Sequence, residues 1–349
     1  MKNISLLAWA LAQKRVFVRA DLNTPLGGDL FPESLKFQRL LPTLLYLKKS
    51  GAQVTLATHI GRPQGFDPRL STRQLTHYFN QAGLSCIYST PEHIQPLLEH
   101  RHDILLLENM RFYPEEQRES IEFARKITTG CDYFVQDGFG VLGRTETSVV
   151  TAAQIFKPEK RSIGLLVKQE LDHLRPLKKN PQKPFLLILG GAKGEEKLSI
   201  IAHFIGKITH LALLPGVSEL IDAQDVIAYA QQQDITVILP EDYIIIDQQK
   251  IALGPKSLDH LQAIIPQMQT IVYNGLMGFL ENPETTVNTR KLFEMIARSG
   301  ATAVLAGGDT TQAAQQWHLL GDKLFLSTGG SSTLLYLSGQ KLPGLKVVT

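Results

Sequence analysis

Two lysines, Lys193 and Lys197, follow an apolar run that ends in glycines, in the segment FLLILGGAKGEEK at residues 185–197. The run predicts a buried strand, Gly190 and Gly191 predict a turn, and the charged residues beyond predict a helix carrying both lysines on one face. Glycines at a strand end, a helix start and paired lysines suit a phosphate group. The spacing is not that of a Walker A loop, and an ordinary turn with solvated lysines fits these residues equally well.

Two further glycine turns occur later in the chain, AGGDTTQAA at residues 306–314 and STGGSSTLL at residues 327–335. In the first of them Asp309 and Thr310 follow the glycines. A carboxylate there suits Mg²⁺ beside a phosphate, although it equally suits the N-cap of a helix. Glycine lets backbone N–H groups approach phosphate closely. Three such turns in one half of the chain favour a nucleotide site in that half.

The first half of the chain places polar and basic residues at the ends of its apolar runs. These residues are Arg19, Asp21, Asn23, His59, Arg62, Arg111 and Arg144. Arginines are common on loop surfaces, and a histidine such as His59 also fits a structural role. Cations gathered at one edge, however, repel one another unless an anion joins them. The set therefore favours a site for a phosphate or carboxylate group.

Apolar runs that alternate with helical patterns must position these residues. The runs are VFVRADLN, QVTLATHIGR, DILLLENMRF and YFVQDGFG in the first half, and PFLLILGGAK, HLALLPG, TVILPED, TIVYNGLMG, ATAVLAGGD and KLFLSTGG in the second. The alternation predicts an α/β fold with two doubly wound, Rossmann-like parallel sheets, in which ligands bind beyond the carboxyl ends of the strands. Helical spacing within residues 162–184 predicts a long connecting helix and hinge, with a domain boundary near residue 160.

Length, charge and cysteine content narrow the class of protein. A chain of 349 residues with 43% hydrophobic content suits two domains. Its 36 basic and 33 acidic residues leave +3, which excludes the balance of a dedicated nucleic-acid binder. Cys86 and Cys131 are too few for a disulfide framework or a zinc site, and no apolar run reaches the roughly 18 residues of a membrane span. Residues 4–12 imitate a signal peptide but run at once into a strand, which favours a cytoplasmic protein.

The chain resembles the phosphoglycerate kinase family through short segments that stand in the family's order. They are VFVRADLNTPL, THIGRP, LLLENMRFYPEE, LILGGAKGEEK, LGPKS, TIVYNGLMG, AGGDT and STGGSSTLLYLSGQKLPGL. The resemblance implies a hinge-bending phosphotransferase that moves phosphate between Mg-ATP and the carboxylate of 3-phosphoglycerate, in glycolysis and gluconeogenesis. It further implies a cytoplasmic monomer with Mg²⁺ as cofactor and ATP or ADP as substrate, without nucleic-acid or membrane partners.

The same resemblance implies a division of labour along the chain. Residues 1–161 would form the 3-phosphoglycerate-binding domain, and residues 162–331 the connecting helix and nucleotide-binding domain. Residues 332–349 would form a tail that packs back on the N-terminal domain. The acceptor would be bound by Asp21, Asn23, Lys36, His59, Arg62, Arg111 and Arg144.

Carried over by motif, the catalytic residues would be Lys36, Lys193, Gly308 and Gly329. The nucleotide would be bound by Gly191, Lys193, Lys197, Asn274, Gly275, Glu281, Gly307, Gly308, Asp309 and Thr310. Of these, Asp309 would be the magnesium contact, and Lys193 would face the transferring phosphoryl group. The helix N-termini at Gly308 and Gly329 would also serve that group.

Some positions depart from the family pattern. Lys36 stands where the family has an arginine that steadies the transferring group, and lysine lacks the planar bidentate fork. Glu146 replaces a histidine and would place negative charge near the anion site, while Leu214–Gly216 replaces a glycine triplet before a shortened segment. Two hypotheses therefore stand: an active, divergent kinase, or a kinase-like protein with reduced or lost turnover that binds a metabolite or partner. Another acyl-phosphate kinase acting on a related acid is a third.

Overall fold

A computed structural model describes residues 10–25, 30–191, 197, 200–220, 223–279 and 282–349. Among these residues the first sheet has six parallel strands, in the spatial order β3-β4-β2-β1-β5-β6. The strands are β1 (Arg15–Ala20), β2 (Gln53–Ala57), β3 (Cys86–Ser89), β4 (Ile104–Leu107), β5 (Tyr133–Asp137) and β6 (Arg161–Ile163). Every residue of β1 is buried, as expected for a central strand that is covered on both faces.

The second sheet is also parallel and has six strands within the described residues, in the order β14-β13-β12-β7-β8-β9. Its strands are β7 (Phe185–Leu189), β8 (His210–Leu213), β9 (Thr236–Ile238), β12 (Thr270–Asn274), β13 (Thr302–Ala306) and β14 (Leu324–Ser327). A separate antiparallel hairpin joins β10 (Tyr243–Ile246) to β11 (Gln249–Leu253). The predicted α/β fold with two parallel sheets is confirmed.

Helices cover the faces of both sheets. In the first half they are Leu30–Glu33, Leu35–Lys49, Leu75–Gln81, Ile94–Leu97, Ile121–Ile127 and Thr151–Gln154. In the second half they are Leu165–Lys179, Ala223–Gln232, Pro255–Ile264, Pro283–Arg298, Gly308–Gln316, Ser331–Ser338 and Pro343–Lys346. None of the helices within the described ranges combines the length and apolarity that crossing a bilayer would need.

The helix Leu35–Lys49 shows how sequence pattern positions a functional residue. Ser34 caps its N-terminus by accepting a hydrogen bond from the backbone N–H of Phe37. One face of the helix packs into the core beneath the sheet through Phe37, Leu40, Leu44 and Leu47. Lys36 lies in the first turn beside this buried face, so its side chain is held close to the sheet.

The chain divides into two compact units, Met1–Leu171 with Lys341–Thr349, and Asp172–Gln340. The division falls inside the helix Leu165–Lys179. The segment that returns to the first unit begins at Lys341. The helix Ser331–Ser338 stays with the second unit, where the Nζ of Lys207 donates a hydrogen bond to the carbonyl of Leu337 at 2.7 Å.

Asp137 ends β5 and holds the start of the helix Leu165–Lys179. Its Oδ1 accepts a hydrogen bond from the backbone N–H of Val167 at 3.1 Å, and the hydroxyl of Thr43 accepts one from the N–H of Leu165 at 2.9 Å. The Oδ2 atom of Asp137 is buried and has no hydrogen-bond partner. Burial therefore raises the pKa of Asp137 to about 7.

We predict a pH-dependent effect of Asp137→Asn on stability. The pKa of Asp137 rises from 3.8 to about 7 on folding, so the carboxyl's contribution is fully present below 3.8 and is lost as the pH rises through about 7. Asparagine keeps the acceptor for Val167 but never ionises. The free energy of unfolding of Asp137→Asn, measured by denaturant titration, should therefore increase relative to that of the parent protein as the pH rises toward about 7.

Asp137→Ala serves as the control, because it removes the acceptor as well as the charge. It should be less stable than Asp137→Asn by about 1 kcal/mol at every pH, as expected for loss of a helix cap. A difference between Asp137→Asn and the parent that stays constant with pH would contradict the raised pKa.

Candidate active site

The carboxyl edge of the first sheet gathers the polar residues that follow its strands. Strand β1 lies between β2 and β5, so the chain leaves the sheet in opposite directions on its two sides. Ligands of open α/β sheets bind in the crevice at such a switch point. Arg19 pairs with Ala57, and Ala20 pairs with Asp137, which places the loops after β1, β2 and β5 at one level.

Asp21, Asn23 and Lys36 lie together at this edge. The Nζ of Lys36 is 2.9 Å from Oδ2 of Asp21, and it donates a second hydrogen bond to the carbonyl of Asn23 at 3.2 Å. The side-chain oxygen of Asn23 accepts from the backbone N–H of Gly61 at 2.8 Å. Lys36 thus reaches the strand end, as a point charge paired with a carboxylate where the family pattern has an arginine fork.

His59 is buried at the end of β2 and is not a cation in this environment. Nη2 of Arg19 lies 3.4 Å from its Nδ1, and because a guanidinium cannot accept a hydrogen bond, Nδ1 carries no proton. Burial, then the charges of Arg19 and Arg111, lower the pKa of His59 well below 6.5. His59 therefore contributes a neutral imidazole to the basic set.

Three guanidinium groups converge on the carboxylate of Glu146. Its Oε1 accepts from Arg144 at 2.9 Å and from Arg111 at 3.2 Å, and its Oε2 lies 3.5 Å from Arg19. Burial favours a higher pKa for Glu146, but the charges of Arg19, Arg144 and Arg111 outweigh it and hold the pKa below its usual range. The anion that joins these arginines is a side chain of the protein.

The backbone around these arginines is fixed by residues that the sequence analysis did not single out. Asn109 is fully buried, and its Oδ1 accepts from the N–H of Ile60 at 3.2 Å and of Arg111 at 3.1 Å. Its Nδ2 donates to the carbonyls of Ile60 and Leu70. Asn109 thereby ties the loop after β2 to the one after β4. Its place two residues before Arg111, in the LLLENMRF run, is the signal that could have identified it.

Glu116 and Ser148 complete the surroundings of Arg19, which is fully buried. Nε of Arg19 donates to the hydroxyl of Ser148 at 2.6 Å, and Nη2 lies 3.8 Å from Oε1 of Glu116. Burial raises the pKa of Glu116 to about 7 despite the neighbouring Arg19. Arg19 is therefore saturated by protein partners, so its part in this edge is structural.

Arg62 behaves differently from the other arginines. Its side chain is exposed, and it forms no ion pair or hydrogen bond with another residue of the described chain. Arg144 is 40% exposed, whereas Arg111 is largely buried. The basic set thus divides into buried groups that are already paired and exposed groups that remain accessible.

The carboxyl edge of the second sheet is built from backbone turns. Leu189 pairs with Asn274, Asn274 with Ala306, and Ala306 with Ser327, so four strands end at one level. The chain runs outward from β7 through β8 to β9 and then returns to β12 on the other side, which makes the crevice between β7 and β12 the switch point. Each of the four strands that end at this level, β7, β12, β13 and β14, is followed by a glycine turn or by a Thr-Gly-Gly segment.

Two of the glycine turns pack against each other at the switch point. Gly275 has a φ of +102°, and a Cβ there would collide with the carbonyl of Gly190. Lys197 is buried and donates a hydrogen bond from Nζ to the same carbonyl. The Nδ2 of Asn274 donates to the carbonyl of Ala306 at 2.9 Å, which joins the ends of β12 and β13.

The turn after β8 fits into the same arrangement, although the glycine triplet is absent. Gly216 has a φ of +89°, and a Cβ there would lie 3.0 Å from the carbonyl of Gly191. The N–H of Gly191 donates to the carbonyl of Pro215 at 3.3 Å. The last residue of Leu214–Gly216 therefore supplies the glycine that close packing against the turn after β7 requires.

The helix Gly308–Gln316 begins directly after the Gly307 turn. Gly307 has a φ of +122°, and its carbonyl accepts a hydrogen bond from the hydroxyl of Thr311 at 2.8 Å. Thr310 is buried, whereas Asp309 is exposed in the first turn. The free N–H groups of the first turn and the dipole of the helix make this end a suitable place for a phosphate.

Asp309 suits a magnesium ion that is shared with phosphates. Within the described part of the chain, no group of three or more His, Cys, Asp or Glu side chains is arranged to hold a metal. Mg²⁺ is commonly bound by one or two carboxylates together with substrate phosphates rather than by a protein cage. A single exposed carboxylate at a helix N-terminus fits that mode of binding.

The turn after β14 adds a second helix start. Gly330 has a φ of +50°, and a Cβ there would lie 3.6 Å from Cα of Gly307, so the turns after β13 and β14 touch. The N–H of Gly329 donates to the hydroxyl of Ser327 at 3.2 Å, and Ser331–Ser338 follows as a helix. Two other predicted residues, Lys193 and Glu281, lie outside the described residues.

Comparison with known proteins gives a consistent result. The family model described as Phosphoglycerate kinase matches residues 6–221 and 216–340. A phosphoglycerate kinase of Borreliella afzelii is 31% identical, with 97% of this chain and 97% of that protein covered. One of Koribacter versatilis is 30% identical over 404 residues that cover both chains completely, so it has residues without a counterpart among the 349 here. The two matched pieces meet at residues 216–221, where the sequence analysis found a shortened segment.

Two solved structures agree with this fold over nearly the whole chain. Phosphoglycerate kinase from Pyrococcus horikoshii OT3 has a TM-score of 0.82 and 25% identity, and the match covers 100% of this chain and 98% of that one. The enzyme from Coxiella burnetii has a TM-score of 0.77 and 25% identity, with 99% and 98% covered. The fold of this chain therefore has close structural counterparts.

We predict that alanine affects stability very differently at two glycines of the second edge. Gly275→Ala places a Cβ against a backbone carbonyl in a left-handed conformation, so it should lower the free energy of unfolding by at least about 2 kcal/mol. Gly308 begins a helix, and a Cβ there would meet nothing within 4 Å. Gly308→Ala should therefore change stability by less than about 1 kcal/mol. Denaturant titration of both variants measures the difference.

The variant Gly308→Ala also tests where the nucleotide binds. The fold itself does not require glycine at Gly308, whereas a ligand that approaches its backbone closely would require it. Gly308→Ala should weaken ADP binding, measured by calorimetry, on the order of tenfold. Unchanged affinity would place the phosphates elsewhere.

Proposed function

Because the chain belongs to the phosphoglycerate kinase family, we propose that it transfers a phosphoryl group reversibly between Mg-ATP and the carboxylate of 3-phosphoglycerate, giving 1,3-bisphosphoglycerate and ADP. Membership makes the chain a phosphotransferase with a carboxyl group as acceptor. The observation that carries the proposal for this particular chain is the Lys36–Asp21 pair at the carboxyl end of β1. It keeps a cation at the position where the family pattern has an arginine.

The acceptor is proposed to bind at the first edge. Asp21 and Asn23 offer oxygen acceptors for the glycerate hydroxyl, while Arg62, Arg111 and Arg144 offer cations for its phosphate. A carboxylate nucleophile is already ionised at neutral pH, so the reaction requires positioning and charge neutralisation rather than a general base. The neutral imidazole of His59 is consistent with that requirement, because it can donate from Nε2 without acting as a base.

The nucleotide is proposed to bind at the second edge. Gly191, Gly275 and Gly307 let backbone groups approach the phosphates, with Asn274, Thr310 and Glu281 around them, and the helix starts near Gly308 and Gly329 would stabilise the charge of the transferring group. Mg²⁺, held by Asp309 and the phosphates, would neutralise negative charge that develops during transfer. Lys193 and Lys197 are proposed to serve the phosphates, with Lys197 exchanging its bond to the Gly190 carbonyl for one to the nucleotide.

The remaining properties are proposals that rest on the family resemblance. They are a cytoplasmic location, a monomeric state, and bending at the helix Leu165–Lys179 during the catalytic cycle. The role of residues 1–161 in acceptor binding and of residues 162–331 in nucleotide binding is proposed on the same ground. A kinase-like binder without turnover is not favoured, since family membership extends along both halves of the chain.

We predict that turnover depends on Lys36. Formation of ADP from Mg-ATP, followed by a coupled assay, should require 3-phosphoglycerate in the parent protein. Lys36→Met removes the cation beside Asp21 and should lower kcat on the order of 10²-fold. Lys36→Arg keeps the cation and supplies the planar fork, so it should retain at least the parental kcat.

Lys48→Met is the matched control for Lys36→Met. Lys48 lies in the same helix and also pairs with an aspartate, Asp103, at 2.9 Å, but it is 43% exposed at the far end. It should leave kcat unchanged. Parent protein that forms no ADP with 3-phosphoglycerate would refute the proposed reaction, and equal kcat in Lys36→Met and the parent would refute the role of Lys36.

We predict that Asp309→Asn weakens the coupling between Mg²⁺ and nucleotide. In the parent protein Mg²⁺ should tighten ADP binding, as measured by calorimetry, because the ion links the carboxylate to the phosphates. Asp309→Asn should reduce that enhancement several-fold. Asp322→Asn, which removes another exposed carboxylate from the same unit, should leave it unchanged. An undiminished enhancement in Asp309→Asn would exclude Asp309 as the magnesium contact.

A further inference from the structure

The carboxylate of Glu146 occupies the place in the first edge where an anion would neutralise the arginines. It accepts hydrogen bonds from Arg144 at 2.9 Å and from Arg111 at 3.2 Å, and its side chain is only 10% exposed. Both belong, with Arg62, to the arginines that the proposed function assigns to the acceptor's phosphate. Each can direct only a limited number of N–H groups at one time, so the internal carboxylate and an external phosphate draw on the same donors.

Hydrogen bonds of the two residues after Glu146 fix its position, rather than contacts at the protein surface. The N–H of Thr147 donates to the carbonyl of Glu116 at 2.7 Å, and the N–H of Ser148 donates to Oε2 of Glu116 at 2.9 Å. The backbone on the C-terminal side of Glu146 is therefore anchored to a buried segment. The fold thus places the backbone of Glu146 beside the arginines, and the ion pairs hold its carboxylate there.

The pairing with Glu146 lowers the net positive charge that the arginine cluster offers to a phosphate. His59 is neutral, and Arg19 is fully buried among protein partners. Of the three arginines assigned to the phosphate, Arg62 forms no ion pair within the described chain, whereas Arg111 and Arg144 pair with Glu146, which cancels one unit of their charge. A phosphate ester that carries close to two negative charges at neutral pH thus meets a cluster that is already partly neutralised, with a like charge a few ångströms away.

We propose that Glu146 is a built-in competitor for the acceptor site, which weakens binding of phosphate-bearing acids by holding Arg111 and Arg144 in an internal ion pair. This inference deepens the proposed function, on which it rests for the identity of the acceptor. The acceptor's phosphate must take over donors from Glu146, and Arg144, being 40% exposed, is the side chain that can turn toward it. Glu146 thereby sets the concentration of acceptor at which the site fills.

Equilibrium binding of inorganic phosphate and of 3-phosphoglycerate to the parent protein and to Glu146→Gln tests the proposal without ATP. Glutamine keeps the shape of the side chain and removes the competing charge. Both Kd values should fall at least about tenfold, and the KM for 3-phosphoglycerate should fall with them while the KM for Mg-ATP stays unchanged. Unchanged or weaker binding of phosphate in Glu146→Gln would overturn the proposal and leave Glu146 with a structural role only.

Two variants control for charge and shape. Glu92→Gln removes a carboxylate that pairs with Lys126 at 3.5 Å in the same unit, away from the arginines, so its phosphate binding should match the parent. Glu146→Asp keeps the charge on a shorter side chain and should stay within about threefold of the parent Kd. Tightening in Glu92→Gln, or in Glu146→Asp to the level of Glu146→Gln, would overturn the assignment of the effect to the charge of Glu146.

Loss of the internal anion leaves the arginines repelling one another, so Glu146→Gln is expected to melt at a lower temperature than the parent without ligand. Added phosphate should then raise its Tm more than it raises that of the parent, and an equal or smaller rise would contradict the proposal. The result of this binding test can be distinguished from the result of the test for the proposed reaction. Tighter phosphate binding without any turnover would support the competitor role and refute the kinase, whereas normal turnover with unchanged phosphate binding would do the reverse.

Discussion

The burial of Arg19 is the constraint on which the first edge depends. A cation with no exposed surface must be surrounded by hydrogen-bond acceptors and opposite charge, since an unpaired buried charge costs several kcal/mol. Its partners come from the loops after three other strands: His59 after β2, Glu116 after β4, and Glu146 with Ser148 after β5. The hydrogen bonds and ion pairs of this one guanidinium therefore fix three loops relative to β1. The accessible arginines lie on those loops and take their positions from them.

In the proposed function the two edges bind anions by different physical means. At the first edge the donors are charged side chains, so affinity follows the balance of charge among Arg111, Arg144 and Glu146. At the second edge the donors are backbone groups in glycine turns, and Gly190, Gly275 and the carbonyl contacts between them leave no room for side chains. The first edge should therefore evolve through changes of charge, and the second through changes of volume.

Sequence reasoning identified the two edges because alternating strands and helices place the ends of parallel strands together. It also matched Lys36 to an arginine of the family pattern, but only the structure shows that the Nζ of Lys36 meets Asp21. The neutrality of His59 and the pairing of Glu146 with three arginines follow from burial and from contacts across the sheet. No local pattern encodes them. The roles of Lys193 and Glu281 stay predictions from the motifs alone.

The return of the chain to the first unit makes that unit discontinuous, because residues 172–340 form the other unit between its two parts. The guanidinium of Arg161 donates to the carbonyl of Val347 at a sequence separation of 186 residues. Entropy opposes closing so long a loop, and the opposition falls once the intervening chain has become compact. During synthesis, residues 172–340 are also completed before Lys341–Thr349 emerges. The second unit can thus serve as a folded spacer that shortens the search by which the first unit acquires its last contacts.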